Sequence, residues 1–147
     1  MSTANTVDSM EEDKQQMFEQ SVEALNLRSY NFYRKEIGMT YDIYKKMSKN
    51  LSEIGNYEYG CDKLTNVKKI VDQFGDGIKR VYVGEVSKQS PDKAFGKGIT
   101  VNDVGDIYQG LTQKHLANGY GRKLSISRDY EIGNWKNDKR NGYFYVF

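Results

Sequence analysis

The chain has 147 residues, a net charge of +2 and a mean hydropathy of −0.79, and 37% of it is hydrophobic. That length suits one ordinary domain, or one compact unit with a helical arm. The balanced charge excludes a nucleic-acid argument made from charge alone. No apolar run is long enough for a spanning helix, and a lone Cys61 excludes an internal disulfide framework and fits a reducing compartment. Twelve tyrosines and 14 glycines against one proline predict apolar surface built from aromatic rings rather than aliphatic chains.

Composition changes near residue 55. Residues 1–55 hold two glycines, Gly38 and Gly55, and seven Lys/Arg against nine Asp/Glu. The remainder holds twelve glycines and fifteen Lys/Arg against eleven Asp/Glu. Residues 1–7 are small and polar and read as a disordered tail, with no signal or transit pattern following, so an intracellular, cytoplasmic location is expected. Residues 8–55 read as a helical arm. Met10, Met17, Phe18, Val22, Leu25, Phe32, Tyr33 and Ile37 fall on one stripe, which predicts a helix over about 9–37, capped by Asp8 or Ser9, with a break possible at Leu27-Arg28-Ser29 and a stop at Gly38. Tyr41, Tyr44, Met47, Leu51 and Ile54 predict a second helix over 40–54 ended by Gly55. The stripes serve packing against the rest of the chain, or else docking on a partner.

From residue 56 the chain repeats. Four copies are expected, at about 56–78 (degenerate), 80–101, 106–124 and 129–147. Their marks are Tyr82, Gly84, Phe95, Gly96 and Gly98; then Tyr108, Gly110, Gly119, Tyr120 and Gly121; then Tyr130, Gly133, Trp135, Gly142 and Tyr143. Gly96, Gly119 and Gly142 recur every 23 residues. The first copy offers Gly60 and Gly75. Each copy reads as two short strands joined by a turn, such as Asn137-Asp138, with insertions tolerated around 87–93 and 65–72. Glycine weakens a strand unless something approaches its backbone closely. A repeated glycine therefore predicts an aromatic ring lying over it, and stacked hairpins bury what one hairpin cannot. The fold expected is α+β: N-terminal amphipathic helices followed by an elongated antiparallel β-hairpin repeat sheet.

The pattern Tyr-x-Gly-x-Trp, a Lys/Asn-rich tip, then Gly-Tyr-Gly resembles the MORN (membrane occupation and recognition nexus) repeat family. Gly133-x-Trp135, Tyr108-x-Gly110, Gly119-Tyr120-Gly121 and Tyr82-x-Gly84 carry the likeness. Val86, Thr112 and Asp62 stand where that family prefers tryptophan, Tyr130 lies three rather than two residues before its glycine, and Phe144 replaces a glycine. The resemblance implies a twisted sheet of successive hairpins. It also implies a scaffold role in cytoskeletal, ciliary or membrane-contact assemblies, or an accessory role beside an enzyme, and phospholipid binding has been proposed for some members.

Catalytic groups are sparse. His115 reads as a solvated tip residue and Cys61 as a small, partly buried one, and Gly96-Lys97-Gly98 lacks the context of a phosphate loop. No enzyme activity, cofactor or metal is expected, and no nucleic acid. Lys79, Arg80, Arg122, Lys123, Arg128, Lys136, Lys139 and Arg140 read as a solvated face, or as contacts to an anionic partner such as acidic protein or lipid headgroups. The leading expectation is a structural subunit binding other protein subunits, or forming a homo-oligomer. The alternatives are a peripheral module on an anionic membrane surface and an accessory chain of an enzyme. The last strand, Tyr143 to Phe147, leaves an apolar edge that invites cover.

Overall fold

A computed structural model describes residues 20–61, 63–73 and 77–147. The expectations for the 1–7 tail, the Asp8/Ser9 cap, Asp62 and Gly75 lie outside these residues. A 3₁₀ turn, Val22–Leu25, precedes helices α1 (Tyr30–Ile37) and α2 (Tyr41–Ile54). Seven strands follow: β1 (Val67–Gln73), β2 (Lys79–Val86), β3 (Ala94–Asn102), β4 (Ile107–Gln113), β5 (Leu116–Leu124), β6 (Tyr130–Lys136) and β7 (Lys139–Val146). They pair antiparallel in chain order as one sheet. No helix among the described residues is long and apolar enough to cross a membrane.

Helix α2 matches its pattern. Thr40 Oγ1 accepts the Ile43 N–H at 3.4 Å, and Gly55 closes the far end on the Leu51 carbonyl. The stripe over 9–37 does not form one helix among the described residues. Only α1 is α-helical there, ended by Gly38 at φ 69°. The chain breaks before α1 because tertiary bonds take its backbone groups: the Arg28 N–H donates to the Tyr33 hydroxyl at 3.1 Å, and the Tyr44 hydroxyl donates to the Arg28 carbonyl at 2.8 Å. The degenerate first copy is not a hairpin either. Residues 56–61 and 64–66 form no strand, and only β1 joins the sheet.

The helical segment packs on one face of the sheet. Leu25, Tyr33, Ile37, Met39 and Met47 meet Val81, Val83, Ile99, Val101 and Ile107 in one buried cluster. Each such side chain contributes roughly 1.5–3 kcal/mol by leaving water. The described arm is therefore used within the chain. Gln109 and Arg122 share this face: Gln109 Nε2 donates to the Leu25 carbonyl at 3.3 Å, and Arg122 Nη2 to the Gly55 carbonyl at 2.7 Å.

Five glycines cross the opposite face in register. Gly84 pairs with Gly98, Gly98 with Gly110, Gly110 with Gly121 and Gly121 with Gly133; Phe144 then stands opposite Gly133. This row uses Gly98 and Gly121, not the Gly96, Gly119 and Gly142 series whose period marks the repeat. Those three serve the hairpin itself. Between Gly84↔Gly98 and Val86↔Ala94, β2 advances two residues while β3 advances four, and the other two hairpins show the same excess. Gly96, Gly119 and Gly142 sit inside it at φ 112°, 105° and 96°, where a side chain is strained.

Candidate functional site

The rings that cover the glycine row come from the same hairpins. Tyr82 lies over Gly98 and Tyr108 over Gly121, so a methyl group at either glycine would run into the ring. The Tyr82 hydroxyl donates to the Glu85 carbonyl at 2.7 Å, and the Tyr108 hydroxyl to the Leu111 carbonyl at 2.6 Å. Burial pushes both phenols far above their ordinary range. In the last copy the pattern changes. Glu131, 23 residues after Tyr108, stands at the tyrosine position, and Phe144 covers Gly133 instead. Register runs unbroken from Tyr130 to Trp135, so no bulge restores Tyr130 to the row; its ring meets Phe147.

Trp135 closes the end of this face. Its Nε1 donates to the Gly121 carbonyl at 3.0 Å, and its ring meets Phe144 edge-on at 4.7 Å. Val86 and Thr112, its counterparts in the earlier copies, are buried too, and Thr112 Oγ1 donates to the Gly96 carbonyl at 2.9 Å. The Lys123 ammonium lies over the Trp135 ring at 4.3 Å, and burial lowers its pKa.

A cavity of about 570 Å³ opens on this face. Thr100, Tyr108, Lys123 and Glu131, paired across β3 to β6, lie along it. Arg80, His115, Asp106, Asp129 and Asp138 also line it. Most of the carboxylates are held in place: Asp106 Oδ1 accepts the Ile126 N–H, Asp138 Oδ1 accepts the Ala117 N–H, and Glu131 pairs with Arg140. Lys114 and His115 make the β4–β5 turn at φ 50° and 70°, as Asn137 and Asp138 make the β6–β7 turn at 50° and 67°. His115 is not a free tip residue. It is half-buried, with Nδ1 3.9 Å from Asp72 Oδ2 on β1. Burial raises the Asp72 carboxyl pKa, while His115 and Arg80 oppose the shift.

The eight cations expected as contacts do not gather into one strip. Arg80 and Lys123 line the cavity. Arg122 is buried on the helix-covered face, its guanidinium spent on Gln109 Oε1 and the Gly55 carbonyl, a use that no charge pattern reveals. Arg128 pairs with Glu53 at 3.0 Å and Arg140 with Glu131. Lys79, Lys136 and Lys139 are exposed. Of the remaining marks, Phe95, Tyr120 and Tyr143 are exposed rather than buried in the repeat framework. Among the described residues no group of three or more His, Cys, Asp or Glu side chains is placed to hold a metal ion. No protein-family model matches the chain, and no curated protein matches it.

Proposed function

We propose that the chain is a non-catalytic scaffold subunit that mediates protein–protein assembly through the tyrosine–glycine face of its repeat sheet. One observation carries the reading: helices cover one face of the sheet, while the other keeps a cavity of about 570 Å³ lined by both signs of charge on strand-borne side chains. Rigid strands hold those groups in fixed register, which suits recognition of a polar protein segment. The likeness to MORN repeats supports the same role and favours a ciliary or cytoskeletal setting. The lipid reading ranks below it, because Arg122 is buried and Arg128 and Arg140 are ion-paired. The accessory-subunit reading differs only in the identity of the partner.

The test is retrieval of partners from the source cell with the wild-type chain and with Thr100→Trp, which fills the cavity from β3. The expected result is a protein recovered with the wild type and lost with the variant at unchanged thermal stability. Equal recovery by both chains contradicts the assignment of the site.

A further inference from the structure

The two edges of the sheet are unlike. β1 carries Lys68, Lys69 and Asp72; Lys69 pairs with Glu36 at 2.5 Å, and Asp72 meets His115. Charges of this kind blunt an edge against pairing. β7 carries such charges only at its start, in Lys139 and Arg140. From Asn141 to Phe147 the chain holds no charged side chain and no proline, and Tyr143, Tyr145 and Phe147 are 98%, 70% and 75% exposed.

Its backbone is also set for pairing. Tyr130 and Phe147 exchange both hydrogen bonds, N–H to carbonyl at 3.3 and 2.8 Å. With the register continuous from Phe147 back to Phe144, alternation turns the N–H and carbonyl of Val146 and Phe144 outward. We propose that two copies of this chain pair through β7, antiparallel about a two-fold axis at Phe144, continuing the sheet from one copy into the other.

That register sets the uncharged segment 141–147 against itself and leaves Lys139 and Arg140 beyond it. Tyr143 then stands opposite Tyr145 of the second copy, at the close, non-hydrogen-bonded positions where aromatic cross-strand pairs gain most. An aromatic side chain buries roughly 150–250 Å², so three per copy bring the total to on the order of 1,000 Å², the scale a specific interface needs. Pairing β7 to β1 of the next copy would grow an open filament, and the charges on β1 oppose it; the two-fold pair closes. The proposal goes beyond the partner reading above and does not depend on it.

The test is sedimentation of the full chain over a wide concentration range, with two variants. Val146→Pro removes an outward N–H and leaves the β6–β7 bonds intact; the double variant Tyr143→Lys, Tyr145→Lys charges the exposed edge. The expected wild-type mass is twice 17.0 kDa, with dimerisation weakened about tenfold or more by either variant at unchanged melting temperature. A wild type that stays monomeric overturns the proposal. So does a dimer indifferent to both variants. A monomer whose Phe144 and Val146 amides resist hydrogen exchange assigns the edge to another segment of the same chain, and equally overturns it.

Discussion

Tyr82 and Tyr108 each stand two residues before a row glycine and close their hydroxyl on a carbonyl three residues further on. The ring supplies buried apolar area and the hydroxyl a partner for a backbone group, so Tyr108→Phe should cost about 1 kcal/mol, read as a lowered melting temperature. The same burial sets an alkaline limit. Tyr33, Tyr59, Tyr82 and Tyr108 are raised far above the model-peptide value of 10.0, and Tyr57 is pushed up to about 12. A phenol raised in the folded state binds its proton more tightly there. Its stabilisation is therefore complete below pH 10.0 and lost as the pH climbs through the folded values. The share of the tyrosinate absorbance that belongs to these five phenols should accordingly rise cooperatively with loss of structure, well above pH 10, whereas gradual titration of all twelve tyrosines in a still-folded chain would contradict this burial. Asp72 has the same sign at the acid end: burial penalises its charge at neutral pH, and the penalty fades as the pH falls through its folded value toward 3.8.

At the scale of elements, the hairpins were legible because their glycines recur at fixed spacing. The β6–β7 turn was legible in Asn137-Asp138, whereas Lys114-His115 makes a matching turn without a turn-type sequence. Two kinds of glycine were not separable by spacing: those under a ring and those inside the hairpin irregularity both recur every 23 residues, and only register tells Gly98 from Gly96. The first copy misled because Tyr57-Glu58-Tyr59-Gly60 and Gly75 resemble a degenerate motif, yet Tyr59 is instead buried against the helix-covered face, its hydroxyl donating to the Gly98 carbonyl. The first helix divides at Leu27-Arg28-Ser29, the break its sequence allowed, but periodicity does not register the bonds that Tyr33 and Tyr44 make to Arg28 there. Nor does a basic residue announce that it will be buried. Arg122 ties β5 to Gln109 and to the end of α2. Arg122→Met leaves those two oxygens without their donor and should destabilise by about 2–4 kcal/mol, measured by denaturant unfolding. A loss below about 0.5 kcal/mol, the level of ordinary surface changes, would contradict the tie.

The whole molecule is a sheet with two unlike faces, and its candidate site follows from that division. Helices cover one face, while aromatic rings cover the glycine row on the other and leave a cavity beside it. The cavity was the least legible part of the chain, since Thr100, Glu131 and Asp138 come together only through strand register and turn curvature. Because its cations are divided between the two faces, the chain should sediment equally with neutral and anionic vesicles at low salt; a preference for anionic vesicles that fades with salt would revive the lipid reading. The architecture rests on rings nested over a continuous row of glycines, and a double-mutant cycle between Tyr108 and Gly121 reaches that contact most directly. Gly121→Ala should cost about 1–3 kcal/mol in the wild type, where the ring has nowhere to move, and far less in a Tyr108→Ala background. The same cost in both backgrounds would mean that the ring does not rest on the glycine, and the account would be wrong.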